Sequence, residues 1–223
     1  MVENLIIIGT SHIARESIER VKKVIEDSRP DIVAIELDVG RAHALFAKEK
    51  KVRFGDVMKV GFKGFLFSII GAYVEKKLGE KVGTSPGGEM KAAVLTAKKI
   101  GARIAFIDQD ISVTLRRFSK VLTWSEKWRL VRDLIGGVFG FGEKIPFDLS
   151  RVPEKELISR LTREVRKKYP NVYKVLVAER NLFMARNLAS IIRQAPQAKI
   201  VAVVGAGHET AIESILARLL QKT

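Results

Sequence analysis

The chain has 223 residues, with 40 Lys and Arg, 25 Asp and Glu, three His and no Cys. At about 150 residues per domain this is one large domain with inserted material, and 47% hydrophobic with 29% charged residues is globular composition. Without cysteine there is no disulfide framework, thiolate-bound zinc or cysteine nucleophile, so any metal must rest on His, Asp, Glu or backbone oxygen. A net charge of +15 favours anionic partners, an attraction that weakens with salt.

The chain opens on a short apolar run, Leu5 to Ile8, closed by Gly9, which predicts a strand buried on both faces. Ser11 is a candidate cap for a helix through about Asp27, with Ile13, Ser17, Val21, Val24 and Ile25 on one face. Pro30 ends it, and Ile32 to Ile35 forms a second strand. Strand, helix and strand in so few residues is a βαβ unit. A helix begins near Pro86 and stops at Gly101, a third strand covers Arg103 to Ile107, and a long helix covers about Asn171 to Gln194. A fourth strand at Lys199 to Val204 and a last helix at about Glu209 to Lys222 complete the outline. The expected fold is α/β, a mostly parallel sheet of at least four strands flanked by helices. A single domain spans 1–223, with helical insertions at about 55–78 and 123–169.

The longest uncharged apolar run, Gly64 to Val74, falls short of the ~20 residues of a spanning helix. No signal-peptide pattern is present, so the expected location is cytoplasmic. The segment around Gly61 to Val74 reads as a core or partner-packing helix pair, with an anionic membrane surface as the alternative use. No helix-turn-helix, zinc-finger or RNA-module signature occurs, so no specific nucleic-acid partner is expected. Gly205-Ala206-Gly207 opens like a dinucleotide fingerprint, but Thr210 replaces its third glycine, and no GxxxxGK[ST] loop or GxSxG elbow exists.

In an open parallel sheet, ligands bind beyond the carboxyl ends of the strands. Those ends carry Gly9-Thr10-Ser11-His12, then Glu36, Leu37, Asp38 and Arg41, then Asp108, Gln109 and Asp110, and finally Gly205-Ala206-Gly207-His208. His12 and His208 each lie three residues beyond a strand-end glycine, so they should share one rim. With Glu36 they form a candidate ligand set for manganese, cobalt or zinc. Either histidine could instead be a cap or a hydrogen-bonded structural residue. His43 reads as packing or surface. Only one of Glu36 and Asp38 need face the site, and Glu36 is favoured. Asp108 and Asp110 could pair, or Asp110 could cap the next helix. Glu89 is a first-turn charge or a general base, and Arg41, Arg117 and Arg180 are candidate anion clamps.

The blocks GTSH (Gly9 to His12), ELD-x-x-R (Glu36 to Arg41), GGEM (Gly87 to Met90), DQDI (Asp108 to Ile111), ERNLFMA (Glu179 to Ala185) and GAGH (Gly205 to His208) follow in order over nearly the whole chain. Together they resemble the TraB/PrgY family, which is similar to the TIKI proteins and the erythromycin-esterase/ChaN-like superfamily. The resemblance implies an α/β core with two Gly-x-x-His motifs and a metal-dependent hydrolase or protease activity. It also implies shutdown of a peptide pheromone, by cleavage or by blocking. It assigns His12, His208 and Glu36 to a divalent metal and makes Glu89, Arg41, Arg180 and Asp108 the accompanying catalytic groups. Gln109 departs from the family pattern, which carries arginine there. Many members continue into C-terminal membrane spans. The expectation is a metal-dependent peptidase, with a peptide-sequestering or membrane-docking module as the alternative, and a homo-oligomer as a possible assembly.

Overall fold

A computed structural model describes residues 4–10, 15–47, 87–138 and 155–221. His12, Ser11, the segment around Gly61 to Val74 and the whole of 55–78 lie outside the described residues. Of 123–169, two helices are described.

Four strands, β1 (Leu5–Thr10), β2 (Ile32–Ile35), β3 (Arg103–Phe106) and β4 (Ile200–Gly205), form one sheet in the order β1-β4-β2-β3. Every pairing is parallel, with Leu5 and Ile32 both opposite Ile200, and Ile32 also opposite Arg103. β4 sits between β1 and β2, and all six of its residues are buried. That position explains its unbroken apolar run, since a strand covered on both faces has no polar side to present.

The pleat sends alternate β residues to two cores. One gathers Ile8, Val33, Ile35, Val201 and Val203 against α1 (Arg15–Ser28), α2 (Val39–Phe46) and α3 (Gly88–Ile100). The other gathers Ile32, Ala34, Ile200, Ala202 and Val204 against Met184, Ala185 and Leu188 of one helix and Ile212 and Leu216 of another. These are α8 (Glu179–Gln194) and α9 (Ala206–Gln221). The architecture is therefore a three-layer α/β sandwich. Ser17, Val21 and Ile25 are buried on α1, on the face their spacing predicts, although α1 begins at Arg15.

Between β3 and α8 lie α4 (Ile111–Val121), α5 (Trp124–Val138), α6 (Lys155–Lys168) and α7 (Pro170–Tyr173). A small third core of Phe118, Leu122 and Val175 holds this layer together. The expected long helix over 171–194 is present but not regular. Residues Lys174–Ala178 form a π turn, and the N–H of Glu179 bonds to the carbonyl of Lys174, five residues back. Such bulges concentrate at functional sites, and this one immediately precedes Glu179, Arg180 and Asn181. The last helix starts at Ala206, three residues earlier than its sequence pattern predicts, so His208 lies within its first turn.

Gly101 ends α3 in the left-handed region at φ +75°, and a Cβ there would meet nothing within 4 Å. Gly101→Ala therefore tests backbone conformation alone. It is expected to lower stability by about 1–2 kcal/mol, measured by urea unfolding, with no change in the native spectrum.

Candidate functional site

The helices that follow β2 pack on one face of the sheet and those that follow β4 pack on the other. Adjacent strands whose connections leave in opposite directions open a crevice at their carboxyl ends, the usual ligand position in this architecture. Glu36 leaves β2 into this crevice, Gly205 and His208 leave β4, and Asp108 arrives from β3.

Arg180, on the first turn of α8, binds them together. Its Nη2 donates to Glu36 Oε1 and, at 2.6 Å, to Asp108 Oδ2. Its Nε reaches Asp108 Oδ1 and Oδ2 at 3.1 and 3.2 Å. Its Nη1 donates to the Leu176 carbonyl, inside the π turn, at 3.2 Å and lies 3.4 Å from His208 Nε2. Asp108 also accepts from Arg41 Nη2. Arg41 in turn is held by Asp38, whose Oδ2 accepts from Nε at 2.6 Å and whose Oδ1 caps α2 by accepting from the Arg41 N–H at 2.9 Å. The result is an alternating row: Asp38, Arg41, Asp108, Arg180, Glu36. It holds three carboxylates and two guanidiniums, one negative charge in excess within a chain of net charge +15.

The Asp108 side chain is fully covered, and that of Arg180 is 16% exposed. Burial alone would push the Asp108 carboxyl up, but hydrogen bonds and charge from Arg180, then Arg41, overcome it and hold the group below its ordinary value. Burial likewise opposes the charge on Arg180, while Asp108 and Glu36 raise its pKa above the ordinary arginine value. Asp108 and Arg180 are thus kept ionised by pairing within a largely buried setting.

Glu36 Oε2 accepts from the Gly205 N–H at 2.6 Å, so strand β4 fixes the carboxylate from the other side. His208 Nδ1 lies 2.5 Å from Asn181 Oδ1. A guanidinium offers only donors, and the Asn181 oxygen only accepts. Nδ1 therefore carries a proton, and Nε2 is the nitrogen that faces Arg180 and Glu36. Glu36 Oε1 and His208 Nε2 are 3.5 Å apart.

The structure thus brings together Glu36, Arg41, Asp108, Arg180 and His208, all of which sequence position marks as candidates. The expectation of a single site carboxylate from this stretch is not met. β2 ends at Ile35, and both carboxylates join the row, Asp38 through Arg41. Asp110 is a helix cap, accepting from the Ser112 N–H at 2.7 Å. Arg117 pairs with Glu179 at 2.6 Å, away from the row, and His43 is exposed on α2. Gln109 donates to Thr114 Oγ1 at 3.1 Å. Glu89 is 2% exposed in the first turn of α3, whose N-terminus lies at the carboxyl edge of the sheet. His12 lies outside the described residues. Asn181 and the Gly205 N–H went unmarked in the sequence. The signal for Asn181 was its place next to Arg180, but only the fold sets it against a histidine 27 residues on.

Gly9, the next-to-last residue of β1, lies beside the start of α9. A Cβ there would lie 2.2 Å from Glu209 Oε2 and 3.1 Å from the Ala206 backbone. Glycine is required by this close approach, which seats the Gly205–His208 turn against β1.

The chain belongs to the TraB/PrgY/gumN family, whose sequence model matches residues 2–223. An uncharacterized protein of Methanocaldococcus jannaschii is 37% identical over 221 residues, covering 97% of this chain and 54% of the relative. The human TraB domain-containing protein is 26% identical over 233 residues, and the mouse one 25% over 232, each covering 93% of this chain and 61% of the relative. The chain thus spans a little over half the length of these relatives. Among the described residues no helix is long and apolar enough to cross a membrane.

Replacing Asp108 by Asn leaves two half-buried guanidiniums short of a counter-charge, which is expected to cost about 3–5 kcal/mol. The depressed Asp108 contributes stability above the carboxylate's unfolded pKa of about 3.9 and loses it as pH falls through the lower folded value. Urea unfolding from neutral pH to pH 2 should therefore show a shallower acid loss in Asp108→Asn than in the parent. Separately, Gly9→Ala should cost about 1–3 kcal/mol through overpacking, with a smaller penalty in a Glu209→Ala background, read as a double-mutant cycle.

Proposed function

We propose that this chain is a divalent-cation-dependent hydrolase that acts on peptides, with Glu36 and His208 among the cation ligands. The supporting observation is the pairing of Glu36 Oε1 and His208 Nε2 at 3.5 Å. Ligands about 2.1 Å from a shared cation lie about 3.0–3.4 Å from each other, so the spacing fits two positions of one coordination sphere. Both ligands are also oriented from behind. Asn181 takes the other imidazole nitrogen, and Gly205 takes the other carboxylate oxygen, the outer-shell pattern of metal-binding histidines and carboxylates. The surplus negative charge of the row favours a cation there.

Among the described residues no group of three or more His, Asp or Glu is placed to hold an ion. The third ligand is accordingly assigned to His12, two positions beyond the end of β1 in sequence. Nitrogen and oxygen donors suit manganese, cobalt or zinc. A bound cation supplies Lewis acidity and makes water a nucleophile at neutral pH. The chain's own residues do the rest. Arg180 fixes Glu36, and Asp108 positions Arg180 and Arg41. Arg41, 31% exposed at the open end of the row, has donors beyond those bound by Asp38 and Asp108 for a substrate carboxylate or oxyanion. Glu89 is the carboxylate assigned to proton transfer.

A second reading has its own observation. Arg180 already contacts both Glu36 and His208, so the row is internally compensated without an ion. That would suit a module that holds a peptide without cutting it.

Metal content after dialysis separates the two. The parent should retain about one equivalent of cation, and His12→Ala, His208→Ala and Glu36→Gln should retain far less. Asn181→Ala should weaken metal affinity about 10- to 100-fold while the histidine remains. Equal metal content in all of these removes the proposed site. A peptide bound tightly but returned intact with added manganese replaces hydrolysis with sequestration.

A further inference from the structure

The chain's two tryptophans, Trp124 and Trp128, are both on α5, and both are exposed, at 73% and 70%. Spaced four apart, they stand one turn from each other on the same helix face, with Val131 three residues further on that face. Large aromatic rings are seldom left this open on a protein surface. Their outward direction is imposed by the other face of the helix. Thr123 and Glu126 form a capping box, in which the Glu126 N–H bonds Thr123 Oγ1 at 3.3 Å and Glu126 accepts from the Thr123 N–H at 3.2 Å. The same buried carboxylate accepts from Asn171 N and Nδ2 at 3.0 and 2.7 Å, tying α5 to α7. Leu130 packs against the Phe118 and Val175 core. With Glu126 and Leu130 inward, the tryptophans must face out.

Cationic side chains flank the stripe. Lys127 lies on one side, with its Nζ 4.7 Å from the Trp124 ring centroid, and Arg132 lies on the other, while Arg129 turns away to donate from Nη1 to the Lys168 carbonyl at 3.0 Å. The wider layer is strongly basic: α4, α5 and α6 carry twelve Lys and Arg against four Asp and Glu. Indole rings bordered by long cationic chains are the signature of a helix lying at the polar boundary of a bilayer, where rings enter the headgroup region and cations meet lipid phosphates. Nucleic acid would need the ring faces for stacking. Lys127 already covers one face of Trp124, and only two rings are present.

We propose that α5 docks this chain on an anionic lipid surface through Trp124 and Trp128, with Lys127 and Arg132 contacting the headgroups. The inference is independent of the hydrolase reading.

Both intrinsic fluorophores of tryptophan type report on this surface, so emission reads docking directly. At low salt, the full chain mixed with phosphatidylglycerol–phosphatidylcholine vesicles should show a blue shift, and brominated lipid should quench it. Phosphatidylcholine vesicles alone, or high salt, should weaken both effects. Cosedimentation of Trp124→Ala/Trp128→Ala should fall at least about tenfold, and of Lys127→Glu/Arg132→Glu comparably, with unchanged circular dichroism. Absence of blue shift and bromolipid quenching with anionic vesicles at low salt overturns the proposal. So does a tryptophan response to single-stranded DNA that vesicles do not reproduce, or vesicle binding that survives the double alanine variant.

Discussion

The guanidinium of Arg180 is the contact on which the rest of the site depends. It reaches the carboxylates that end β2 and β3, the carbonyl of the π turn before α8, and the imidazole at the start of α9. A buried ion pair gains little net stability against the cost of desolvating its charges, so such a row is not a device for holding a fold together. What it secures is geometry, because each carboxylate has one arrangement that satisfies its neighbours. Two β strands and two helices are thereby locked in relation to one another at the sheet's open edge.

The hydrophobic layers carry the fold and let the charged row exist. The central strand is buried along its whole length, and the two cores on its faces are almost purely aliphatic. The charged groups of the row gather where the strands stop. At that boundary the helix starts, strand-end N–H groups and first-turn side chains converge, and each guanidinium of the row is held between two carboxylates. The π turn fits the same logic. Five-residue bonding at Lys174–Ala178 shifts the phase of the helix just before Glu179, so the direction of Arg180 and Asn181 is not what an unbroken α-helix would give.

The helical layer after β3 serves a different surface. Its internal contacts are few but specific, with a buried glutamate capping one helix and anchoring the next, and a small apolar cluster beneath. This leaves a basic, tryptophan-bearing face on the outside. Site and surface are thus built by different means, one by pairing charges in a dry crevice and the other by leaving apolar rings beside unburied cations.

Local sequence determined where the strands lie but not their burial: β1, expected to be buried on both faces, and β3 are edge strands that expose Ile6 and Phe106, whereas β2 and β4 are covered. It also determined which polar residues stand at their carboxyl ends, so Glu36, Arg41, Asp108, Arg180 and His208 were all legible as candidates. It did not determine the partners. Strand order arises from pairing between segments far apart in the chain, and only the insertion of β4 between β1 and β2 sets Glu36 beside Gly205 and within 3.5 Å of His208. Helix phase behaved likewise, since periodicity reveals a face but neither a π turn nor an early helix start. The outward turn of Trp124 and Trp128 came from contacts made by the opposite face of their helix. Strand identity is a property of neighbouring residues; the chemistry at the sheet edge is a property of residues that only folding makes neighbours.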